Sequence, residues 1–508
     1  MTTTPEMSPT SGTTEPPRAT RREWIGLAVL ALPTLMVSFD IFVLLLALPQ
    51  LSADLSATSA QQLWIMDIYG FLVGGFLITM GNLGDRFGRR RMLLLGASVF
   101  AVASILAAYS TSAEMLIAAR ALLGIAGATL APSTLSLITT LFRDPRQLGF
   151  AIGVWAGSFT AGAILGPVIG GVMLEYFWWG SVFLLGVPAV LLLLLVGPRV
   201  LPEFRDPTAG RIDLTSVLLS LGAILPFVYG VKELARHGWA LGPTAALALG
   251  VGMGVLFLRR QRGLTDPMLD LSLFRIGAFR VSLLSLLAYS SLTGATLLFM
   301  TQYLQSVAGL SPLDAGLAMI PGLATGMVSV TVAPILARRI RPAVLIAAGI
   351  LAVVAGLVIL AMVGPESGVG LVILGNTVWC LGGGPLLALS TGLVVSSAPP
   401  EKAGAASALP QISNELGSAL GMATLGSLGG LVYRVGVSDD MPDGLTPGVA
   451  DAVRESLARA TAEATSLPDA AALLSAARSA FSDGFAVVAG ISAVLLALLT
   501  IPVLRGRG

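Results

Sequence analysis

The sequence predicts an all-α polytopic membrane protein with fourteen transmembrane helices, laid out as two six-helix bundles plus two extra central helices. Three observations carry that prediction. Only 11% of the 508 residues are charged and 55% are hydrophobic, against about 25% charged in soluble domains, and the mean hydropathy is +0.86. Apolar runs of about 20 residues, each enough to cross hydrocarbon as a helix, recur along the whole chain. The basic residues are sorted unevenly between the breaks that separate those runs.

Residues 1–22 are rich in Thr, Pro and Ser and end in Arg18, Arg21 and Arg22, which reads as a disordered cytoplasmic tail. The first apolar run is longer than a signal-peptide core and many more follow it, so no cleavable signal is expected. Apolar runs against charged or turn-rich breaks place six spans near 24–50, 61–80, 92–110, 113–141, 148–174 and 179–198, an N-terminal bundle over 23–200. Two inserted helices follow near 213–233 and 241–259, within 201–262. Six more lie near 280–306, 311–337, 342–363, 368–397, 403–432 and 482–504, a C-terminal bundle over 263–508. An even number of spans puts both ends on one side. With that side inside, cytoplasmic segments hold 23 of the 30 Lys and Arg residues and outer segments hold 6. That bias orients the chain with both termini cytoplasmic. Trp64, Trp178, Trp179 and Trp239 then fall at the outer boundary and Trp24 at the inner one, as anchors at the lipid interface. The outer loop 433–481 is too polar to cross. Helical spacing over 450–464 and 469–481, broken at Leu467 and Pro468, predicts a small helical hairpin there.

Composition also excludes function classes. A net charge of +2 leaves no nucleic-acid footprint. The single Cys380 and single His237 allow neither a disulfide framework nor a histidine metal cluster, and they supply no catalytic set, so neither enzyme chemistry nor a cofactor is expected. Lys232 and Lys402 are the only lysines and neither stands in a glycine-rich phosphate loop, so the chain does not use ATP.

Four groups of residues carry chemistry. A tight basic turn follows the second span, with Gly81, Gly84, Asp85, Arg86, Gly88 and the run Arg89 to Arg91; its glycines allow close helix approach, and Asp85 can pair with an Arg across an inner gate. A weaker repeat of it, Pro334 to Arg341, follows the tenth span about half a chain later, as expected of duplicated transporter halves. In the fifth span, Gly162, Gly166 and Gly170 fall four apart on one face and let a neighbouring helix approach backbone to backbone, while Pro167 permits a bend and Gly171 adds a further small residue. Arg120 stands about two turns into the fourth span, where a bare guanidinium costs at least ~2.5–3.5 kcal/mol, so it needs a carboxylate or must snorkel outward. Asp40 and Asp67, in the first and second spans, are each open as a proton or cation site or as a structural partner of Arg120; Glu415, near the middle of the thirteenth, is the less expected partner. Acids at such depth are costly when charged and can be neutralised by a proton. By position alone, Gln302, Asn376, Trp379 and Gln411 are further candidates for a substrate cavity, each equally readable as an interhelical hydrogen bond. Tyr289 and Phe299 read as packing.

The basic turn closely resembles the loop signature of the major facilitator superfamily. The segment Gly162 to Gly171 is similar to the motif of its antiporters, and Asp40 to Pro49 resembles the first-span motif of the fourteen-span drug:proton antiporters, with Phe42 and Leu45 where that family often has Thr and Asn. The resemblance spans the chain. It implies the major facilitator fold and proton-coupled multidrug efflux of amphipathic, mostly cationic aromatic compounds such as dyes, quaternary ammonium biocides and fluoroquinolones. It assigns Arg120 to proton coupling and Asp40, Asp67 and Glu415 to proton or cation sites, with small drug cations, protons and the lipid bilayer as partners and a monomer as the expected state. An exporter of an endogenous metabolite or antibiotic, and a membrane sensor or scaffold without transport, are the competing readings.

Overall fold

The computed structural model describes residues 19–203, 205, 213–264, 267, 269, 271–397, 403–439, 441, 445–464 and 470–505. Most of the expected N-terminal tail, Lys402 and the Leu467–Pro468 break fall outside them.

Among the described residues every regular element is a helix: α1 (Arg21–Asp54), α2 (Ser59–Phe87), α3 (Arg89–Ala108), α4 (Ala113–Leu141), α5 (Pro145–Tyr176), α6 (Ser181–Leu184) and α7 (Gly186–Val200). The inserted pair is α8 (Leu214–His237) and α9 (Leu241–Gly263). Then come α10 (Gly277–Gln302), α11 (Pro312–Leu336), α12 (Pro342–Ala361), α13 (Val369–Ser396), α14 (Ala403–Gly421), α15 (Ser427–Asp439), α16 (Pro447–Glu455), α17 (Leu457–Ala464) and α18 (Ala470–Arg505). Single π turns at Tyr303–Val307 and Met422–Gly426 extend α10 and join α14 to α15. Among the described residues thirteen helical spans are long and apolar enough to cross a membrane, and α2, bent by 51° between Leu77 and Thr79, makes a fourteenth when taken as one span. Polar caps set several starts: Thr20 with Glu23 on α1, Thr58 with Gln61 on α2, Ser112 on α4, and Ser311 ahead of Pro312 on α11.

Within the first half α5 packs on α1, and α4 on α2 and α3; within the second α13 packs on α11 and α12, and α14 on α10. The α8–α9 pair lies against α2 and α15. The halves meet where α5 touches α11 and where α2 touches α14. Glycine makes both meetings possible. On one face of α5, a Cβ at Gly162 would collide with the Leu35 carbonyl oxygen, and one at Gly170 would stand 2.7 Å from Val43 of α1. On the other face, a Cβ at Gly171 would stand 2.6 Å from the Leu313 Cα of α11, while a Cβ at Gly316 would strike the Pro167 carbonyl. The same device lets Gly74 of α2 lie against Leu416 of α14, at 2.8 Å from a built Cβ.

The outer loop departs from the predicted hairpin. Its first helix is split at Ser456, whose extended backbone separates α16 from α17. Its second is no separate element: α18 runs unbroken from Ala470 through the last span, because no proline intervenes and Gly484, in the turn-prone pair Asp483-Gly484 at the boundary, packs within the helix against the Gly429 carbonyl. The apolar faces of α16 and α17 bury Val453, Leu457 and Ala460, and the Tyr433 hydroxyl donates to the Val453 carbonyl at 2.8 Å. Trp179 also departs from its expected role. It is buried, and its indole N–H donates to Asp54 at 2.7 Å, locking α6 to the end of α1. Trp178 and Trp239 are exposed.

At the loop end of the inserted pair, Arg260 donates twice to Asp213, at 2.7 and 2.8 Å, and the Ser216 hydroxyl donates to the same carboxylate at 2.5 Å. Gln261 donates to Ser216 at 2.7 Å and accepts the Leu269 N–H at 3.2 Å, tying the connection to the second half onto the pair. Hydrogen bonds from Arg260 hold the Asp213 carboxyl well below the ordinary carboxylate range. A carboxyl so depressed contributes its stability in full above the unfolded value, and loses it as pH falls toward the folded one. Asp213→Asn is therefore expected to melt earlier than the parent at pH 7, with the gap closing below about pH 4 in thermal scans of purified protein. In the same assay Gly171→Val should lower the melting temperature, while Gly153→Val, at an α5 position with nothing within 4 Å, should leave it unchanged.

Candidate functional site

Ser112 starts α4, and two turns on the helix carries Arg120 to a point where only 1% of its side chain is exposed. The guanidinium is met on several sides. Its Nη1 is ion-paired with Asp40 of α1, its Nε donates to the Ile65 carbonyl of α2 at 3.2 Å, and it lies over the Tyr69 ring, 4.7 Å from the centroid. Arg120 thus turns inward rather than snorkelling, and Asp40 is one carboxylate it takes. Asp67, on α2 two residues beyond Ile65, is completely buried.

Glu415 enters from the other half. It is 5% exposed on α14 and accepts a hydrogen bond from Gln411, one turn earlier, at 2.9 Å. Its backbone carbonyl lies against Gly70 of α2, so the acid stands on the seam between the halves. A cavity of about 480 Å³ opens there, with Leu44, Leu45, Tyr69, Arg120, Leu297 and Glu415 among its walls. The sequence candidates Arg120 and Glu415, 295 positions apart, line one space.

A larger cavity, of about 1030 Å³, lies between α1, α5, α10, α11 and α13. Phe42, Phe159, Tyr289, Trp379, Met319 and Met327 give it an aromatic and thioether wall, Asn376 and Cys380 add polar atoms, and no charged residue among the described ones lines it. Asn376 and Trp379 therefore sit in a cavity as expected from sequence. Gln411 is instead a hydrogen-bond partner of Glu415. Gln302 belongs elsewhere: it lines a separate cavity of about 730 Å³ beneath α16 and α17, with Gln62, Phe299, Tyr433, Arg434 and Leu457. Position along a span could not separate these, because all four residues share the apolar context and only the neighbouring helices differ. Tyr289 and Phe299, read as packing from sequence, are both buried in the core, Phe299 stacked on Phe481 at 5.3 Å between centroids, and each also forms part of a cavity wall.

The basic turn folds on itself. Asp85 accepts from Arg89 Nε at 2.7 Å, so its ion pair is local rather than across a gate. Gly88 takes φ +112°, and a Cβ there would meet the Glu203 carboxylate. Glu203 accepts the Arg90 N–H at 3.2 Å, while Arg90 Nη1 donates to the Leu201 carbonyl at 3.0 Å, closing the end of α7. The Arg86 guanidinium stands 5.7 Å from the Phe87 ring centre, and Gly81 has only Pro132 near it. Glu203 was missed in the sequence; the available signal was an acid at the end of a span whose arginine-rich neighbours needed a counter-charge.

A model described as Major Facilitator Superfamily matches residues 30–422. The chain belongs to that superfamily. This member of it is 44% identical over 488 residues, 96% of each chain, to the "Multidrug efflux pump LfrA" of Mycolicibacterium smegmatis. It is 35% identical over 503 residues to the "Methyl viologen resistance protein SmvA" of Salmonella typhimurium strain LT2, covering 94% of this chain and 97% of the other. Among solved structures, it matches a bacterial homolog of the human lysosomal transporter Spinster, in an inward-facing and unoccupied conformation. The TM-score is 0.70 at 16% identity, over 96% of this chain and 99% of that one, which establishes a shared fold. This superfamily chain is a multi-span membrane protein of the transporter class.

Removing one partner of a buried ion pair strands the other, at a cost of about 3–5 kcal/mol. Arg120→Ala is expected to unfold at markedly lower temperature than the parent, and Arg120→Gln combined with Asp40→Asn to regain most of the loss. Detergent-solubilised protein followed by differential scanning fluorimetry reads both.

Proposed function

We propose that this chain is a proton-coupled multidrug antiporter of the bacterial cell membrane, with both termini cytoplasmic, exporting amphipathic and mostly cationic aromatic compounds. The observation that carries the reading is the pairing of two spaces: a chargeless aromatic cavity beside a smaller one that holds a buried carboxylate. The names of the relatives, a multidrug efflux pump and a methyl viologen resistance protein, support the same substrate chemistry.

In this reading Glu415 is the exchange site. Ionised, its carboxylate attracts the cation of a bound compound; a proton arriving from outside neutralises it and releases the cation. Loss of that proton inward restores the site. Asp40 and Arg120 hold each other and keep the facing wall electrically balanced, with Asp67 as a further buried acid on α2. The bundles over 23–200 and 263–508 rock about the α5–α11 and α2–α14 seams, with the pair over 201–262 alongside α2. Gly162, Gly166, Pro167, Gly170 and Gly171 allow the close approach at the first seam, and the Gly81 to Arg91 turn shapes the cytoplasmic end. Exchange of one proton for one monovalent cation moves no net charge, so the pH gradient alone drives it; a second proton adds ~2.3 kcal/mol per 100 mV.

In cells or inverted vesicles loaded with a cationic dye, a protonophore should collapse efflux. Glu415→Gln should reduce it to background with the protein still in the membrane, and Asp40→Asn should also impair it. Efflux that persists through both the protonophore and Glu415→Gln would sink the proposal.

A further inference from the structure

The cavity beneath the outer helices and the carboxylate cavity are stacked on the same three strips of helix. On α2, Ser59, Gln62 and Leu63 line the outer space, and Met66 and Tyr69, further along the same face, line the carboxylate space. On α10, Gly294 and Leu297 belong to the carboxylate space, and Leu298, Phe299 and Gln302 to the outer one. Along α14 and α15, Glu415, Ala419 and Met422 give way to Gly426, Ser427 and Gly430. That changeover spans the π turn Met422–Gly426, a local widening of the kind that recurs at functional positions in helices. On each strip the step from one space to the other is no more than one helical turn, about 6 Å of rise.

What separates the two spaces is thin and apolar. Leu63, Met66, Leu298 and Met422 are all buried. Leu63 reaches across the seam between the halves to Gly426, where a Cβ would stand 2.9 Å from its Cδ2 atom. Polar side chains stop on either side of this septum: Ser59, Gln62, Gln302, Ser427 and Tyr433 in the outer space, Glu415 in the other. A polar-lined space of about 730 Å³ has room for water, at about 30 Å³ per molecule with two to four polar partners each. Four apolar side chains interrupt a file of such water, and a proton with it. Met66 and Met422, unbranched and with three rotatable bonds, can swing aside without moving a helix.

Arg434 also lines the outer space, but it is itself partnered and stands two turns beyond Gly426, toward the surface. Among the described residues, the other ionisable groups on the carboxylate wall are Tyr69 and Arg120, and Arg120 is held by Asp40. Glu415 is therefore the group on that wall available to take up a proton.

We infer that the outer cavity is the antechamber through which the outside proton reaches Glu415, and that Leu63, Met66, Leu298 and Met422 form the hydrophobic septum that holds the passage closed. The inference rests on Glu415 being the exchange site, and it adds a route for the proton separate from that of the compound. The proton passes along hydrogen-bonded water and ends as the O–H of the Glu415 carboxyl. A path opened by one side chain admits a water file and excludes an aromatic cation.

The test uses intact cells producing the full-length protein, so that every copy faces the same way. De-energised cells loaded with a cationic dye receive an external acid pulse. Gly430 lines the outer cavity and has nothing within 4 Å of a built Cβ, so Gly430→Trp fills the space from an open position. It should slow pulse-driven efflux about tenfold. Dye-for-dye exchange without a pulse, dye affinity of the purified protein and its melting temperature should stay as in the parent. Leu63→Ser, which thins and wets the septum, should raise proton entry into dye-free cells about tenfold under the same pulse. Its unchanged dye affinity reports an intact fold, and adding Glu415→Gln should return proton entry to the parent level. If Gly430→Trp slows dye-for-dye exchange as much as pulse-driven efflux, the cavity is a path for the compound and the proton route is overturned. Glu415→Gln alone separates the two readings. Pulse-driven release that survives it means the exchange site itself is wrong; release lost in it, with Gly430→Trp and Leu63→Ser both at parent rates, means the route alone is wrong.

Discussion

A guanidinium in hydrocarbon has to be answered by the protein around it, and the answer to Arg120 organises the first half of the molecule. Its charge is taken by Asp40 of α1, one N–H by the Ile65 carbonyl of α2, and its face by the Tyr69 ring of α2. Three helices are thereby held in one register by a residue on α4. The desolvation of such a pair rarely adds net stability over an apolar core, which argues that its value lies in position. It fixes the wall opposite Glu415 and leaves that wall without net charge.

Small residues do the complementary work. Where the arginine cluster binds helices by charge, α5 binds them by removing side chains: Gly162 and Gly170 admit α1 from its own half, and Gly171 admits α11 from the other. Both seams between the halves rely on backbone proximity, which is sensitive to a single added methyl group and insensitive to salt. Dispersion and close packing, rather than burial from water, drive helix contact in lipid.

Most of the architecture was legible in the sequence because hydrocarbon imposes a simple rule, that every span be long, apolar and helical. The fourteen runs, the turn at Gly88 and the depth of Arg120 and Glu415 follow from it. Partners were harder to read. Asp40 and Asp67 were equally eligible for Arg120, since period and depth do not reveal which helix faces which. Tyr289 and Gln302 show the same limit: Tyr289 looked like packing and is both buried core and a wall of the aromatic cavity, while Gln302 looked like a cavity residue and lines a different cavity, the one beneath α17. Glu203 escaped because its role depends on an arginine 113 positions earlier. The predicted hairpin failed on continuity: polar spacing marked residues 469–481 as outside the membrane, and the turn signal that follows, Asp483-Gly484, does not end the helix because Gly484 packs against Gly429 of α15.

That continuity has a mechanical consequence. At 1.5 Å per residue the 36-residue α18 is a rod of about 54 Å, far longer than the ~30 Å hydrocarbon layer. Its polar end carries the contacts to α17, which in turn touches α1 of the other half. A stiff rod does not absorb rotation along its length. A tilt of roughly 10° corresponds to about 9 Å at the far end over such a length, so the contact that α17 makes between α18 and α1 joins the halves where a given change of tilt is felt most.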